Sequence, residues 1–316
     1  MNDPLRIMVT GAAGMVGQHT LQYLAKLPHT ETLATDIAPP KDMPENIRFE
    51  KMDVTTDDPE KVISSFKPDV ILHLASVVTP PKGTGREFAY KVDVEGTRKV
   101  IEAAIYNKTR RIVVTSSGAA YGYHEDNPDW LNETHTLRGN AEFPYSDHKR
   151  QVEEMLAVTR HSYPELEQVI LRVGTVLGEK TDNQITALFQ RPKLLAIKGS
   201  ESPFVFIWLD DLAKVLVRAA TDGPEGVFNV AGDGAMGVND LSAALKKPIK
   251  WLPAWAVKLA LGIAKPLGLS RYGPEQVRFL QYRPVLDNTA LKEEFGFTPE
   301  HTSREAFERW QKGMGL

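Results

Sequence analysis

Short, nearly unbroken apolar runs alternate with segments of helical spacing through the first half of the chain. Arg6–Thr10, Glu31–Asp36, Val70–Ala75, Arg111–Ser116 and Gln168–Val173 are β-rich and bounded by turn residues. A further short strand is expected around Ile47–Met52. Between the runs, Val16–Leu27, Asp93–Tyr106 and Ser146–His161 carry apolar positions three and four apart, the period of a helix. Strands that alternate with helices predict βαβ units and a parallel sheet. Because the strands lack a polar face, both sides of that sheet should be covered. After about Val173 the rhythm changes. Ile207–Ala220 has helical spacing, with Asp210 and Asp211 near its start, where carboxylates suit the helix dipole. Val227–Val230 reads as another strand, and the rest is rich in Pro and Gly and expected to be irregular. The expected architecture is therefore α/β: a Rossmann-type doubly wound parallel sheet over residues 1–173, to which 205–235 return. Residues 174–204 and 236–316 should form a smaller C-terminal substrate-binding lobe. No fixed-period repeat or flexible linker is visible.

Composition narrows the classes. The 316 residues include 42% apolar and 25% charged, which is ordinary for a globular protein. Lys and Arg total 38 against 41 Asp and Glu, a net charge of −3, so nothing marks a nucleic-acid partner. Cys is absent, which removes disulfides and thiol catalysis and fits a cytoplasmic location. Met1–Arg6 is short and polar, unlike the start of a leader peptide. The most apolar later stretch, Trp251–Leu269, holds two lysines and two prolines and is too broken to span a bilayer. It is expected to be a helix packed inside the protein or at an apolar pocket; an interfacial membrane helix is the minor alternative.

The first strand leads into Thr10-Gly11-Ala12-Ala13-Gly14-Met15-Val16-Gly17, which opens the first helix. In this strand–loop–helix setting, Gly11 permits the turn and Gly14 lets amides approach a pyrophosphate. Gly17 lets helix and strand pack closely, and the helix N-terminus faces the phosphates. Asp36 ends the next strand, where a carboxylate can accept hydrogen bonds from a ribose and would repel a 2′-phosphate, favouring NAD over NADP. Asp53-Val54 could sit at the adenine edge, although an ordinary turn Asp is almost as good a reading.

Tyr145 and Lys149 are four apart on a helix that begins after Pro144, and so share a face. A free tyrosine has a pKa of about 10, too high for a base at neutral pH. A neighbouring cation would favour the phenolate, and the same lysine could hold a nicotinamide ribose. Thr115-Ser116-Ser117 ends the fourth of the longer strands, at the edge that faces the cofactor crevice in a parallel sheet. A serine hydroxyl there can steady a reacting oxygen for Tyr145.

At these residues the chain resembles the extended short-chain dehydrogenase/reductase, or NAD-dependent epimerase/dehydratase, family. The matching segments are TGAAGMVG (10–17), LHLAS (72–76), TSSGAAYG (115–122), YSDHK (145–149) and LRVGTVLG (171–178), with FIWLDDLA (206–213) and GVFNVAGDG (226–234) looser. The resemblance implies that Ser117, Tyr145 and Lys149 are catalytic. It also implies that Gly11, Gly14, Gly17, Asp36, Asp53 and Ala75 contact NAD. Ala13, Met15, Val16, Val54, Leu74, Ser76, Thr115 and Val176 complete the expected cofactor-contacting set with Tyr145 and Lys149. Members of this kind usually dimerise through two long helices, here Asp93–Tyr106 and Ser146–His161, so a homodimer acting on a small molecule is expected.

The departures bear on function. Gly118-Ala119 stand where sugar-nucleotide dehydratases of the family carry Asp-Glu, which argues against dehydration. Gly174-Thr175 replace the Asn that nucleotide-sugar epimerases place there, and Phe204 and Val205 stand where an Arg for the diphosphate is expected. Asp93 replaces a frequent Asn. Elsewhere, His124 and His135 flank an acidic loop better read as solvated than as a metal site, and no metal is expected. His148 is expected to be exposed or packed. Arg283 could hold an anionic group or form a surface ion pair. The leading expectation is NAD-dependent hydride transfer at a secondary alcohol or ketone of a small, partly apolar substrate. A UDP-sugar-type 4-epimerase with tightly bound NAD is the alternative, and a non-catalytic dinucleotide sensor the third class.

Overall fold

The computed structural model describes residues 3–81, 83–270 and 273–316. Met1 and Asn2, part of the polar start that argues against a leader, lie outside the described residues. Eleven strands form among them: β1 (Leu5–Thr10), β2 (Thr30–Asp36), β3 (Arg48–Lys51), β4 (Val70–His73), β5 (Arg111–Ser117), β6 (Glu167–Val173), β7 (Thr175–Leu177), β8 (Leu194–Ile197), β9 (Phe206–Trp208), β10 (Gly226–Val230) and β11 (Ile249–Leu252). Seven make one parallel sheet in the order β10-β6-β5-β4-β1-β2-β3. The chain runs outward from β1 to β3, then returns to β4 on the other side of β1. Strand order reverses between β1 and β4, and a crevice opens there at the C-terminal strand ends.

The missing polar face on β1 has a direct structural reading. Ile7 and Val9 point into one core, with Leu21 and Leu24 of the helix Met15–Leu24 and with Leu212, Val215 and Leu216. Met8, between them, points into the opposite core, with Ile63 and Phe66, Val100 and Ile101, and Val152 and Leu156. Alternate side chains therefore feed two buried layers, as a sheet covered on both faces requires.

Three expectations need correction. The helix expected at Ile207–Ala220 begins at Leu209; Phe206–Trp208 form β9, which pairs with β7. All three β9 residues are buried, and an apolar pair such as Ile207-Trp208 satisfies either period. Second, the regions expected to be irregular hold the β8–β11 pair and six helices among the described residues: Thr186–Gln190, Val238–Leu245, Ala254–Ala264, Gln276–Gln281, Thr289–Glu293 and Ser303–Gly313. The last is announced by a Thr302–Glu305 capping box. Its Phe307 and Trp310 join Phe189, Phe204 and Phe206 in an aromatic core, while Leu291 and Phe295 pack back onto the central sheet. Third, of the two placements expected for Trp251–Leu269, the helix at an apolar pocket is the one found, with Val257 and Leu261 lining a cavity. It is not packed inside: of its large apolar side chains only Val257 is buried, and Trp255, Leu259, Ile263, Leu267 and Leu269 face solvent.

The helix expected at Asp93–Tyr106 is longer and interrupted. Helical residues Arg86–Tyr90 and Thr97–Tyr106 flank a π-helical turn at Lys91–Gly96. Gly96 allows close approach of the neighbouring loop: a Cβ there would lie 2.8 Å from the Val54 Cγ2.

A buried polar network fastens the sheet to the helix Pro144–Ser162. Arg172 on β6 donates to Glu153 of that helix through Nε (3.0 Å) and Nη2 (2.8 Å), and through Nη1 to the Tyr121 hydroxyl at 2.8 Å. Ser116 on β5 donates to Glu153, and the Tyr121 hydroxyl lies 3.0 Å from Asn229 Oδ1 on β10. Removing one partner of such a pair leaves an uncompensated buried charge, which costs about 3–5 kcal/mol. Glu153→Ala should therefore lose roughly 3–5 kcal/mol of unfolding free energy in urea titrations, whereas cutting an exposed pair such as Arg98–Glu102 should change it by less than about 1 kcal/mol.

Candidate active site

The glycine loop is shaped by contacts that exclude a side chain. Gly11 has φ +67°, and a Cβ there would lie 2.6 Å from the Ala75 nitrogen. A Cβ on Gly17 would lie 2.3 Å from the Gly11 carbonyl oxygen. Gly14 is less constrained, with extended backbone and 3.2 Å to the same oxygen. The loop is tied down from both neighbouring strands. The Ala12 amide donates to the Thr35 carbonyl and the Ala13 amide to Asp36 Oδ2 at 2.9 Å. Thr10 Oγ1 lies 2.8 Å from His73 Nδ1 and accepts from the Ala75 amide at 3.3 Å. His73 is buried between Thr10 and Thr97, and burial pushes its pKa down to about 3, so it stays neutral. The first-turn amides of Met15 and Val16 find no acceptor among the described residues. Such amides at a helix N-terminus suit a pyrophosphate, so the cradle fits a dinucleotide.

In front of this loop lies a cavity of about 1180 Å³. Typical sites for one small molecule fill about 300–1,000 Å³, so a cofactor and a substrate can share this one. Of the expected residues, Gly11, Gly14, Met15, Val16, Gly17, Leu74, Ser76, Thr115, Ser117, Tyr145, Lys149 and Val176 line it. Ala13, Asp36, Asp53, Val54 and Ala75 do not. Asp36 receives the amides of Ala13 and Ile37 at the end of β2. Asp53 Oδ1 accepts from the Thr55 amide and hydroxyl, the bonding of a turn residue, and Val54 is buried against the Gly96 turn.

The three catalytic candidates meet at one wall. Ser117, at the end of β5, lines the cavity wall with Tyr145 and Lys149; its hydroxyl accepts from the Ala119 amide at 3.2 Å and donates to the Val173 carbonyl at 3.4 Å. Lys149 Nζ donates to the Thr115 carbonyl at 2.8 Å and lies 5.6 Å from the Tyr145 ring centre. The expected lowering of the tyrosine pKa is not what this arrangement produces. Burial is the largest influence and raises Tyr145; the Ser117 hydroxyl opposes it, the Asp93 charge adds to it, and the result is about 12. Lys149 is itself pulled down, first by burial, and its ammonium is engaged by a carbonyl instead of the phenol.

Asp93 and His148 supply contacts that the linear chain conceals. His148, expected to be exposed or packed, is fully buried, and its Nδ1 lies 3.2 Å from Asp93 Oδ2. Asp93 Oδ1 also accepts from the Ser76 hydroxyl at 2.9 Å and from the Val77 amide at 2.8 Å. The π-helical turn thus places a carboxylate behind the cavity-lining loop at Ser76–Val77.

The substrate side is mostly apolar: Val77, Phe143, Leu188, Phe204, Phe279 and Leu280 are among its lining. Only Phe204 of these was legible beforehand, as part of an apolar segment. Phe143 carried a faint signal, its place just before Pro144 at the start of the catalytic helix. Arg283 is not the surface ion pair that was the alternative. Its guanidinium lies 3.7 Å from the Phe204 ring centre and 5.0 Å from that of Phe279, donates to Ser202, and has no carboxylate partner among the described residues. Burial pulls its pKa down to about 9. By contrast Arg278 meets Glu142 and Lys292 meets Asp233. Asp211, Glu300 and His301 come together away from this site. Asp211 already accepts from His301, and Glu300 from Lys214.

A doubly wound sheet, a glycine loop at the switch point and a Ser-Tyr-Lys wall define a dinucleotide-dependent enzyme of the extended short-chain dehydrogenase type. Comparison with known proteins agrees. Residues 7–231 match the model of the NAD dependent epimerase/dehydratase family, and the chain belongs to that family. It is 26% identical to an uncharacterized protein of Mycobacterium tuberculosis over 99% of this chain and 85% of the relative. Its identity to a UDP-glucose 4-epimerase of Mycolicibacterium smegmatis is also 26%, over 94% of both. Among solved structures it resembles the UDP-glucose 4-epimerase of Thermotoga maritima (TM-score 0.76, 20% identity, 98% of both chains). The UDP-glucose 4-epimerase of Thermus thermophilus is similar as well (TM-score 0.74, 22% identity, 98% and 99% of the chains). At those identities the structural likeness supports the fold, and the family supplies NAD as the cofactor.

Because the Gly11 carbonyl leaves no room for a Cβ on Gly17, Gly17→Ala must open the loop. Its affinity for NADH, read from nucleotide fluorescence, should fall about tenfold or more, a loss of about 1.4 kcal/mol or greater.

Proposed function

We propose that the protein transfers a hydride between NAD and a secondary alcohol or ketone carbon of a small, partly apolar substrate. The observation that carries this reading is the meeting of Ser117, Tyr145 and Lys149 in the lining of one largely apolar pocket, beside the glycine loop. The amides of Met15 and Val16 would take the pyrophosphate, with Gly11, Gly14 and Gly17 giving it room and Ala13, Leu74, Ala75, Ser76, Thr115 and Val176 shaping the crevice. Asp36 would hold the adenosine ribose, Asp53 and Val54 the adenine edge, and Lys149 the nicotinamide ribose. The bound nicotinamide supplies the hydride donor or acceptor. Ser117 steadies the substrate oxygen, and Tyr145 exchanges the proton with it. With its pKa near 12, the phenol holds its proton at neutral pH and is set to donate, which suits ketone reduction.

A second reading, UDP-sugar-type 4-epimerisation, is favoured by one observation. Arg283 presents an uncompensated guanidinium in the cavity, where it could meet an anionic group. The named epimerases among the relatives lend it further support. We further propose a cytoplasmic homodimer formed through the helices at Thr97–Tyr106 and Pro144–Ser162, on which Tyr106 (78%) and Val158 (68%) are exposed. The double variant Tyr106→Glu with Val158→Glu should then sediment as a monomer where the wild type sediments as a dimer.

Cofactor content separates the two chemistries. Protein purified without added nucleotide, then denatured, should release little NAD and bind NADH reversibly if it is a dehydrogenase. Near-stoichiometric NAD that resists exchange would favour the epimerase. Tyr145→Phe should lower kcat by about 10²–10⁴ in either case; unchanged turnover would remove Tyr145 from the mechanism.

A further inference from the structure

The exposed face of the helix Ala254–Ala264 has no occupant in the reading above. Trp255 is 69% exposed, Leu259 59% and Ile263 55%, and the next residue at that spacing, Leu267, is 66% exposed. Steps of four keep Trp255, Leu259 and Ile263 on one face of the helix, and Leu267 lies in the turn beyond its C-cap, Lys265. The two faces of this helix have different jobs. Val257 and Leu261, also four apart, line the active-site cavity and pack with Ile197, Val277 and Leu280. Trp255, Leu259 and Ile263 line no part of it. A continuous exposed apolar stripe of this kind marks an interaction surface.

Charge selects the partner. From Leu241 to Pro274 the chain contains Lys246, Lys247, Lys250, Lys258, Lys265 and Arg271 and no Asp or Glu, although the whole protein carries a net −3. Lys246 and Lys250 are exposed and have no carboxylate partner among the described residues, and Lys250 also reaches the rim of the cavity lining. Lys247 donates to the Phe189 carbonyl, Lys258 shares a small pocket with Glu125 and Asp126, and Lys265 meets Glu275. An apolar helical face set in a segment of one positive sign is complementary to a bilayer that carries negative lipid head groups. The apolar side chains enter the head-group boundary and the lysines stay with the phosphates. Trp255 at the start of the stripe suits that boundary, since its ring is apolar and its N–H polar. The helix is too short and too polar at its ends to cross the membrane, and among the described residues no helix is long and apolar enough to do so.

We propose that this helix seats the protein peripherally on an anionic phospholipid surface, with the wall of the active-site cavity lying directly behind the seated face. The surface and the cavity then share one helix, so an amphiphilic substrate held in the bilayer would have a short route to Tyr145. The binding itself does not depend on which reaction the site performs.

The test is cosedimentation of the full chain with vesicles, in three arms: phosphatidylcholine alone, phosphatidylcholine mixed with phosphatidylglycerol, and the mixture at raised salt. Binding to the anionic vesicles is expected, with a blue shift of tryptophan emission as Trp255 leaves water. It should fall about tenfold or more at raised salt or without phosphatidylglycerol. The double variant Leu259→Glu with Ile263→Glu should abolish it while keeping wild-type NADH affinity and thermal midpoint, because neither residue lines the cavity. Milder Leu259→Ser with Ile263→Ser should give the same loss if the glutamates disturb folding. Absence of binding to anionic vesicles, or binding that survives both double variants, would overturn the proposal. So would an oligomer that these variants dissociate without any vesicle binding by the wild type, since a second copy would then be the occupant.

Discussion

The geometry of the site depends on one buried ion pair. Ser117 ends β5 and Tyr145 opens the helix Pro144–Ser162, so bringing both into one cavity wall requires strand and helix to keep a fixed separation. Glu153, two turns further along that helix, is locked to Arg172 on β6, and Ser116, next to Ser117, donates to the same carboxylate. A fork of guanidinium bonds to a carboxylate fixes direction as well as distance. Buried charge pairs are poor sources of net stability. Here the pair is better understood as an alignment device, coupling the proton-handling helix to the two strands behind it.

Electrostatics in this wall run against the simplest account of an activated tyrosine. Low polarity raises Tyr145 and depresses Lys149 together, and Asp93 adds negative charge to the same neighbourhood. Burial holds the phenol neutral, so the pairing of Tyr145 with Lys149 does not by itself yield a phenolate.

Much of this was legible in the chain because the constraints were local. Gly11 and Gly17 stand where no side chain fits, and the four-residue step from Tyr145 to Lys149 is helical arithmetic. The two-faced burial of β1 is written in its unbroken Ile7-Met8-Val9 run. What escaped was set by distance along the chain. Nothing near His148 says that Asp93, 55 residues earlier, will meet it. Phe279 and Phe204 become neighbours of Arg283 only after the C-terminal segments fold back over the sheet. Trp251–Leu269 was legible as a helix at an apolar pocket, but its outer face was not: apolar composition reports what a segment can bury, not what is present to bury it.

The π-helical turn at Lys91–Gly96 carries a consequence for variation in this chain. An α-helix advances about 100° per residue, and a π turn holds one residue more than its α counterpart. Removing a single residue there would let the ladder close as an ordinary helix with the turns on either side still in phase. What would be lost is the bulge itself, and with it the placing of Asp93 against His148 and the Ser76–Val77 backbone. The turn absorbs one residue without disturbing its flanks, so homologous chains that differ by one residue here would keep the same helix ends and differ in what stands behind the cavity wall.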